Sequence, residues 1–335
     1  MTQQIEEESE ALASAAVGAP GPQRRPLGRR VRSTASAYGF MAPAVALVLT
    51  FFVAAGILLL ILSFTDLQSA NFNDAWTFIG FDNYERLFTD AFFPKIARNT
   101  VFYVFTTLIV FNLGLALVLA LVTTSIPRRA GFFFRLVWLL PRLTPSVVYI
   151  MMWQRIGSAD PFGIYNQIAP EFLGASGGNL YLGGSPWTFV VLTNGFIGAS
   201  FGMIIFTSAL ESIPKDLLTA AKVDGADTWR IIRDIKIPMI KWPLLFIATY
   251  QTLSLLTSFE YILLLTQGGP GLFTTEVWAL TSYKRAFASY AGNNQWAYGA
   301  TWAVVLVAIA LLLAVVYVKL FKFNELIEEP RIENL

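Results

Sequence analysis

Hydrophobic residues along the chain fall into six long segments separated by polar stretches. The segments cover residues 38–64, 100–123, 131–155, 187–209, 243–266 and 296–321. Each one reaches the ~20 mainly apolar residues that a helix needs to cross the hydrocarbon core of a bilayer. The pattern predicts an all-α integral membrane protein with six transmembrane helices, of which the third and the fifth contain polar residues.

Basic residues set the predicted orientation, because loops rich in Lys and Arg resist translocation. They concentrate in the N-terminal tail, the loop at 124–130, the polar stretch at 210–243 and the C-terminal tail. In a chain that crosses six times, all four lie on one side of the membrane. We therefore expect both termini to be cytoplasmic.

The two ends of the chain are predicted to be tails outside the bilayer. Residues 1–37 pass from an acidic run through Ala, Gly and Pro to an arginine cluster, which is typical of a disordered tail. A cleaved signal peptide is the alternative for this region. It does not fit, because the first apolar segment is too long and lies too far from the N-terminus. Residues 323–335 form the predicted cytoplasmic C-terminal tail.

The polar stretch at 215–243 is the only richly charged one between the first and last apolar segments. Its composition predicts a short helix over 215–223, closed by Gly225, since glycine adopts the left-handed conformation without steric cost. Asp227 is placed to cap a second helix, which Pro238 is expected to end. This helix-turn-helix is too short to fold alone, so we expect it to lie against another protein.

Composition narrows the class of protein. Hydrophobic residues make up 55% of the chain, charged residues 14%, and the net charge is +2. The chain contains no cysteine and no histidine, which excludes disulfides, thiolate nucleophiles, imidazole bases and the commonest zinc ligands. No dinucleotide fingerprint or Walker motif is present. We expect neither a metal nor a cofactor on this chain, and no catalytic residues.

Two charged residues lie inside predicted membrane segments. Arg142 stands between Pro141 and Pro145 in the third segment, and Glu260 lies in the fifth. A charge at the bilayer centre costs at least ~2.5 kcal/mol on insertion scales, so such a residue usually faces a partner or a cavity. The simplest interpretation is an ion pair between Arg142 and Glu260.

The polar stretch closely resembles the EAA loop of permeases from binding-protein-dependent ABC importers of the maltose and glycerol-phosphate type. The matching residues are Thr219, Ala220, Ala221, Asp224, Gly225, Ala226, Trp229, Ile235, Ile237 and Pro238. Thr219 departs from the family pattern, which has glutamate there. The alternative is an ordinary amphipathic cytoplasmic loop. Residues 78–84, 156–186 and 267–295 also match family positions, and the resemblance extends over 38–322.

The resemblance implies a type I ABC importer permease fold over residues 38–322. The loop at 210–243 would then be the coupling helix, which sits in a groove of the ATPase subunit. The implied partners are a second homologous permease, two ATPase subunits that hold Mg-ATP, an extracytoplasmic solute-binding protein and a sugar-like solute. The implied location is the plasma (inner) membrane of a bacterium or archaeon.

The resemblance also implies a solute pocket. Matching the maltose-permease pattern places it at Arg142, Ser146, Asn194, Ile197, Gly198, Phe201, Gln251 and Ser258, with Leu255 as a departure. The spacings within each predicted helix fall on one face. Asn194 and Gln251 would hydrogen-bond to sugar hydroxyls, and Phe201 would pack against the apolar side of a ring.

Three alternatives stay open from the sequence. Arg142 replaces an aromatic residue of the maltose relative and suits a carboxylate or phosphate, so the solute could be anionic, glycerol phosphate included. Arg142 and Glu260 could instead serve an ion-gradient carrier that needs no ATPase. A membrane enzyme is the weakest alternative, because no cluster of catalytic residue types occurs at a membrane surface.

Overall fold

The computed structural model describes residues 39–321, apart from 75, 160, 174–177 and 289–291. The chain divides into two compact units, residues 1–58 and 59–335. The predicted tails at 1–37 and 323–335 lie outside the described residues. Within the described part the secondary structure is helical, with one isolated antiparallel bridge between Thr65 and Phe78.

The described part of the first unit consists of most of helix α1, which spans Gly39–Ser63. Every residue in 39–58 is exposed, although nearly all of them are apolar. A π-helical turn interrupts the helix at Leu49–Ala54. A helix that is apolar on all its sides is typical of a segment surrounded by lipid.

The second unit contains the other helices. They are α2 (Asp82–Thr89), α3 (Phe93–Ser125), α4 (Arg128–Leu143), α5 (Ser146–Gly157), α6 (Ile164–Leu173), α7 (Pro186–Glu211), α8 (Lys215–Val223), α9 (residues 228–239), α10 (Lys241–Thr257), α11 (Glu260–Leu265), α12 (Trp278–Phe287) and α13 (Trp296–Leu320). The all-α prediction is confirmed for the described residues.

Four of these helices, α1, α3, α7 and α13, are long and apolar enough to cross a membrane by themselves. The third predicted segment is instead two helices, α4 and α5, which meet at a bend of 99°. Thr144 at the bend is extended, with ψ 136°, because the following proline disfavours the helical conformation of the residue before it.

The fifth predicted segment is also broken. Helix α10 ends at Thr257, Ser258 is extended with ψ 124°, and the short helix α11 follows from Glu260. The third and fifth segments are therefore not the continuous helices that the apolar pattern predicted. The described residues contain four uninterrupted spans, or five if the bent pair counts as one. The count of six and the side of the termini stay predictions.

Helix α7 forms the centre of the second unit and packs against α3. A Cβ added to Gly198 would lie 2.3 Å from Asn112 Oδ1, and one added to Gly202 would lie 2.6 Å from the Asn112 carbonyl oxygen. Asn112 belongs to a π-helical stretch of α3, Thr107–Leu115. Small residues let two membrane helices approach closely, and here they fix the contact between α3 and α7.

The segments outside the bundle are folded caps. Asn83 of α2 donates to the carbonyl oxygens of Ser63 and Thr65 at 3.1 and 2.8 Å. Trp278 of α12 donates through Nε1 to the Trp302 carbonyl at 2.7 Å. These hydrogen bonds satisfy buried polar groups and hold the caps to α1 and α13.

Candidate functional site

The predicted coupling turn has the geometry of a Schellman motif at the end of α8. The Ala226 N–H donates to the Ala221 carbonyl at 2.9 Å, and the Gly225 N–H donates to the Lys222 carbonyl at 3.1 Å. Gly225 has φ +79°, and an added Cβ would meet nothing within 4 Å. Glycine is therefore favoured here by the backbone conformation and not by lack of space. The predicted helix over 215–223 and its glycine closure are confirmed.

The second helix of the turn begins as predicted and ends later than predicted. Asp227 Oδ1 accepts a hydrogen bond from the Arg230 N–H at 2.8 Å, which confirms the predicted cap. The helix ends at Met239, one residue after Pro238, so the predicted end is displaced by one residue. A π turn at Ile232–Lys236 precedes Pro238 within the same helix.

The outer surface of the coupling turn carries apolar side chains. Val223 is 82% exposed and Trp229 is 67% exposed. Thr219, the departure from the family pattern, is also exposed and donates its hydroxyl to the Lys215 carbonyl at 3.0 Å. Burial, together with the nearby Lys222 charge, lowers the pKa of Lys236. Exposed apolar side chains on a polar loop mark a surface suited to contact with another protein.

A second candidate surface lies on the membrane-embedded part of the chain. The Arg142 guanidinium carbon is 5.3 Å from the centroid of the Phe201 ring. The Phe201 and Tyr250 ring centroids are 5.1 Å apart, and Tyr250 stacks on Phe246 at 6.2 Å. We call Arg142, Phe201, Tyr250 and Phe246 the cation–aromatic row. It combines a fixed positive charge with ring faces that suit sugar rings.

The sequence analysis missed Tyr250 and Phe246. The sequence feature that could have indicated them is the spacing of Phe246, Tyr250, Ser254 and Thr257. In the structure all four residues are exposed. Intervals of four, four and three residues place them on one face of α10. This face is turned by about one residue from the predicted one, because the predicted face came from matching the family pattern at Gln251.

The predicted ion pair between Arg142 and Glu260 is absent from the described residues, in which no nitrogen of Arg142 lies within 4.0 Å of that carboxylate. Glu260 Oε1 instead accepts a hydrogen bond from the Ser146 hydroxyl. The physical reason is the bend between α4 and α5. Arg142 lies before the bend and packs over Phe201, whereas Ser146 begins α5 and meets the start of α11.

Several other predicted pocket residues lie in the interior of the chain. Asn194 is 6% exposed and donates through Nδ2 to the Tyr103 hydroxyl. Gln251 is 6% exposed and donates to the Gly198 carbonyl at 3.2 Å. Ile197 and Leu255 are buried as well. Buried amides need partners, and these amides find them within the chain. Their contact with a solute stays a prediction.

Tyr103 links two of the predicted residues, since its hydroxyl also lies 3.4 Å from Ser258 Oγ. The sequence analysis did not single it out, because a tyrosine in a membrane span carries no spacing signal of its own. The structure thus separates the predicted set. The exposed Arg142 and the half-buried Phe201 lie on the cation–aromatic row, whereas Asn194, Gly198 and Gln251 hold α7 to α3 and α10.

The depth of Arg142 indicates what this face meets. Arg142 lies 14 residues after Arg128, the first residue of α4. At a rise of 1.5 Å per residue this is about 21 Å along the helix, which places Arg142 well inside the ~30 Å hydrocarbon core. Both Arg142 and Glu260 are exposed in the chain. Lipid cannot solvate such charges, so this face lies against water or another protein chain.

Broken helices around charged residues, joined to a structured loop outside the bundle, are typical of a membrane transport subunit. The family described as "Binding-protein-dependent transport system inner membrane component" matches residues 112–323. The chain belongs to this family and is a multi-pass, non-catalytic permease component of the inner membrane. Membership of this family rules out the two alternatives of an ion-gradient carrier and a membrane enzyme.

Individual relatives agree with the family. The chain is 31% identical to the probable starch degradation products transport system permease protein AmyD of Thermoanaerobacterium thermosulfurigenes, over 78% of this chain and 86% of that protein. It is 30% identical to the multiple sugar-binding transport system permease protein MsmF of Streptococcus mutans, with the same coverage.

Similarity extends to a solved structure. A bacterial ABC transporter that imports the acidic polysaccharide alginate aligns with a TM-score of 0.75 and 20% identity. The alignment covers 88% of this chain and 98% of that one. At this identity the comparison establishes the fold alone, which is that of an ABC importer permease.

Proposed function

We propose that this chain is the permease subunit of an ATP-driven importer for an oligosaccharide or a related polyhydroxylated solute. It pairs with a second homologous permease, two ATPase subunits that hold Mg-ATP and an extracytoplasmic solute-binding protein. The names of AmyD, a probable starch degradation products transport permease, and MsmF, a multiple sugar-binding transport permease, support the sugar class. The prediction that the coupling loop and both tails face the cytoplasm belongs to this proposal.

The observation that carries the proposal is the connection between the coupling turn and α10. Ile240, which separates α9 from α10, is 1% exposed and belongs to an apolar cluster with Ile213 and Ile247. Leu218 of α8 packs against the same cluster. A force applied to α8 and α9 would therefore pass through packed side chains into α10, because such interiors do not compress.

Helix α10 also carries part of the surface that meets the solute. It contributes Tyr250 to the cation–aromatic row and Gln251 to the interior. When the ATPase subunits close on ATP, they push the coupling turn, and α10 moves against α7. This movement opens the permease pair toward the binding protein, and hydrolysis resets it. The chain itself provides a path and a lever, without covalent chemistry.

Gly225→Pro tests this proposal in the reconstituted importer. Proline cannot adopt φ +79° and lacks the N–H that donates to the Lys222 carbonyl. We expect solute-stimulated ATP hydrolysis and uptake to fall at least about tenfold, whereas membrane insertion stays unchanged. Gly225→Asn is the matched control, because asparagine tolerates the left-handed conformation, and it should keep most of the activity. Full transport by Gly225→Pro would contradict the coupling role.

An anionic solute is the second candidate. Arg142 is exposed, and no carboxylate of the described residues lies within ion-pair distance of it. A guanidinium in this position is suited to bind a carboxylate or phosphate through two parallel hydrogen bonds. Glycerol phosphate, which carries a phosphate, is one such anionic solute.

Arg142→Gln separates the two solute classes. We expect it to raise the KM for an acidic oligosaccharide or sugar phosphate about tenfold, which corresponds to the loss of ~1.4 kcal/mol of binding. Uptake of a neutral oligosaccharide should change by less than about threefold, since its hydroxyls do not depend on the charge. Unchanged kinetics for every solute would assign Arg142 to the interface with the partner permease.

A further inference from the structure

A groove of about 510 Å³ lies between α4 and α7, at the end of the bundle where the coupling loop begins. Three arginines line it, Arg128, Arg129 and Arg135, together with one acidic residue, Glu211. Arg135 Nη1 lies 2.7 Å from Glu211 Oε1, and this ion pair joins the two helices across the groove.

Arg128 and Arg129 have no carboxylate within ion-pair distance among the described residues. They occupy the first turn of α4, where positive charge is unfavourable because the helix dipole is positive there too. Pro127 precedes them and provides no side-chain cap for the free N–H groups. Two guanidinium groups and an uncapped helix end thus create a positive potential at the mouth of the groove.

An independent observation comes from the opposite wall. Thr207 of α7 lines the groove, is 4% exposed, and its hydroxyl oxygen has no hydrogen-bond partner. Buried hydroxyls are normally bonded, so one left without a partner inside a groove indicates a polar atom that binds there. Thr207 lies one helical turn, about 6 Å, farther into the bilayer than Glu211.

Apart from Ser208, the remaining wall residues of the groove are apolar, and three of them are exposed. Phe132 is 64% exposed, Leu136 is 46% exposed and Ile204 is 40% exposed. From the membrane surface inward the groove therefore offers two cations, then Thr207 and Phe132 at about the same depth, then Leu136 and Ile204, with the paired Arg135 and Glu211 on its walls. A phospholipid has the complementary order of phosphate, glycerol ester oxygens and acyl chain.

We propose that this groove binds an anionic phospholipid. Arg128 and Arg129 hold the phosphate and the negative headgroup, Thr207 donates to an ester oxygen, and one acyl chain lies along Phe132, Leu136 and Ile204. Basic pockets between membrane helices at the cytoplasmic surface favour anionic lipids because they add charge pairing to apolar burial. The bound lipid would stabilise the Arg135–Glu211 ion pair next to the coupling loop.

The test titrates the complete importer, purified in detergent and stripped of lipid, with phosphatidylglycerol or phosphatidylcholine. Native mass spectrometry counts the lipids retained. We expect phosphatidylglycerol to bind at least about tenfold more tightly than phosphatidylcholine, the difference that ~1.4 kcal/mol produces. Equal retention of the two lipids would overturn the proposal.

Variants assign the binding to this groove. Arg129→Gln should weaken phosphatidylglycerol binding about tenfold, and Thr207→Val about threefold, since the first removes a charged and the second a neutral hydrogen bond. Lys319→Gln is the matched control, because Lys319 is another exposed cation, located in the last turn of α13. It should change binding less than twofold. An effect of Lys319→Gln as large as that of Arg129→Gln would overturn the assignment.

Two further outcomes distinguish other occupants. Excess inorganic phosphate should leave the lipid in place; displacement by phosphate alone would contradict a lipid site. The chain has no native cysteine, so Leu136→Cys provides a unique attachment point on this subunit for a short bifunctional cross-linker. Cross-linking to the partner permease would show that a protein helix fills the groove. Neither readout depends on solute or coupling, so this proposal can fail while the transport function stands.

Discussion

Gly198 is assigned to helix packing by the structure and to solute binding by the family resemblance. The family resemblance places it in the solute pocket, whereas the structure places it where α7 meets Asn112 of α3. An added methyl group would lie 2.3 Å from Asn112 Oδ1, closer than Cβ atoms approach other atoms. Gly198 therefore serves first as the contact surface between two helices.

Gly198→Ala should destabilise the protein by about 1–3 kcal/mol, because the buried Asn112 side chain must move to make room. The measurement is the Tm of the purified complex. Gly56→Ala is the control, since nothing lies within 4 Å of a Cβ at that position of α1. It should leave the Tm unchanged or raise it slightly, as removal of a helical glycine does. An unchanged Tm with altered solute selectivity in Gly198→Ala would favour the pocket role.

Glu276 is a buried carboxyl group in the loop between α11 and α12. It is 2% exposed, and Lys284 Nζ lies 2.7 Å from its Oε2. Burial raises its pKa, and the hydrogen bond and charge of Lys284 offset the rise only in part. The folded chain thus holds this proton more tightly than the unfolded chain. The stabilisation from this group is fully present below the unfolded pKa and is lost as pH rises through the folded pKa.

Glu276→Gln should remove this pH dependence. The wild-type complex should lose more Tm between the acidic range and neutral pH than the variant does, because glutamine does not titrate. The comparison is the difference in Tm between pH 4.5 and pH 7, measured for both proteins in the same buffers. If the two proteins showed the same difference, folding would leave the pKa of Glu276 unshifted.

Local chemistry explains which residues could be predicted from sequence. Gly225 and Asp227 act on backbone groups two or three residues away, so their roles follow from the residue types themselves. The partner of Arg142 depends on where the chain turns after Thr144. That direction is a property of the whole bundle, and the residues around Arg142 do not encode it.

At the scale of elements, the bend between α4 and α5 decides which groups reach the face proposed to meet the solute. Pro145 keeps Thr144 extended and begins the first turn of α5, where its carbonyl accepts from the Tyr149 N–H at 3.0 Å. This arrangement sends Arg142 toward Phe201 and Ser146 toward Glu260. The bend is thus the element that builds the polar face.

Pro145→Ala should lower uptake at least about tenfold with little effect on assembly. Alanine removes the steric restriction on Thr144 and allows α4 and α5 to join as one helix. Initial uptake rates and co-purification of the ATPase subunits measure the two effects. Pro186→Ala is the control, since Pro186 lies in the first turn of α7, where proline is simply tolerated. Wild-type uptake by Pro145→Ala would show that the bend does not depend on this proline.

The sequence predicted best the helices whose residues are apolar along their whole length. The continuous apolar runs of α1, α7 and α13 were located to within a few residues, because lipid or a buried position accepts any large apolar side chain. The third and fifth segments were predicted with polar residues but without their breaks. An apolar pattern records which residues avoid water and carries no information on the angle between two consecutive helices.

At the scale of the whole molecule, the second permease proposed above has a face to cover. Arg142, Phe246, Tyr250 and Glu260 are exposed on segments predicted to lie within the bilayer. An exposed arginine at that depth costs at least ~2.5 kcal/mol in lipid. A second permease that covers this face would remove the cost and enclose a polar path. A single sequence cannot locate such a face, since lipid-facing and partner-facing helices are both apolar.

The chain produced without its partner permease should accumulate several-fold less than the chain produced with it, because its exposed charges leave the inserted state unstable. Arg142→Leu should raise the level of the lone chain, since it removes the charge from lipid. The same substitution in the complete importer should lower uptake of an acidic solute. Thr257→Leu is the control, because it adds apolar surface on the same face without removing a charge. Quantitative immunoblots of membranes measure these levels, and equal amounts of the lone and the partnered chain would mean that this face needs no second permease.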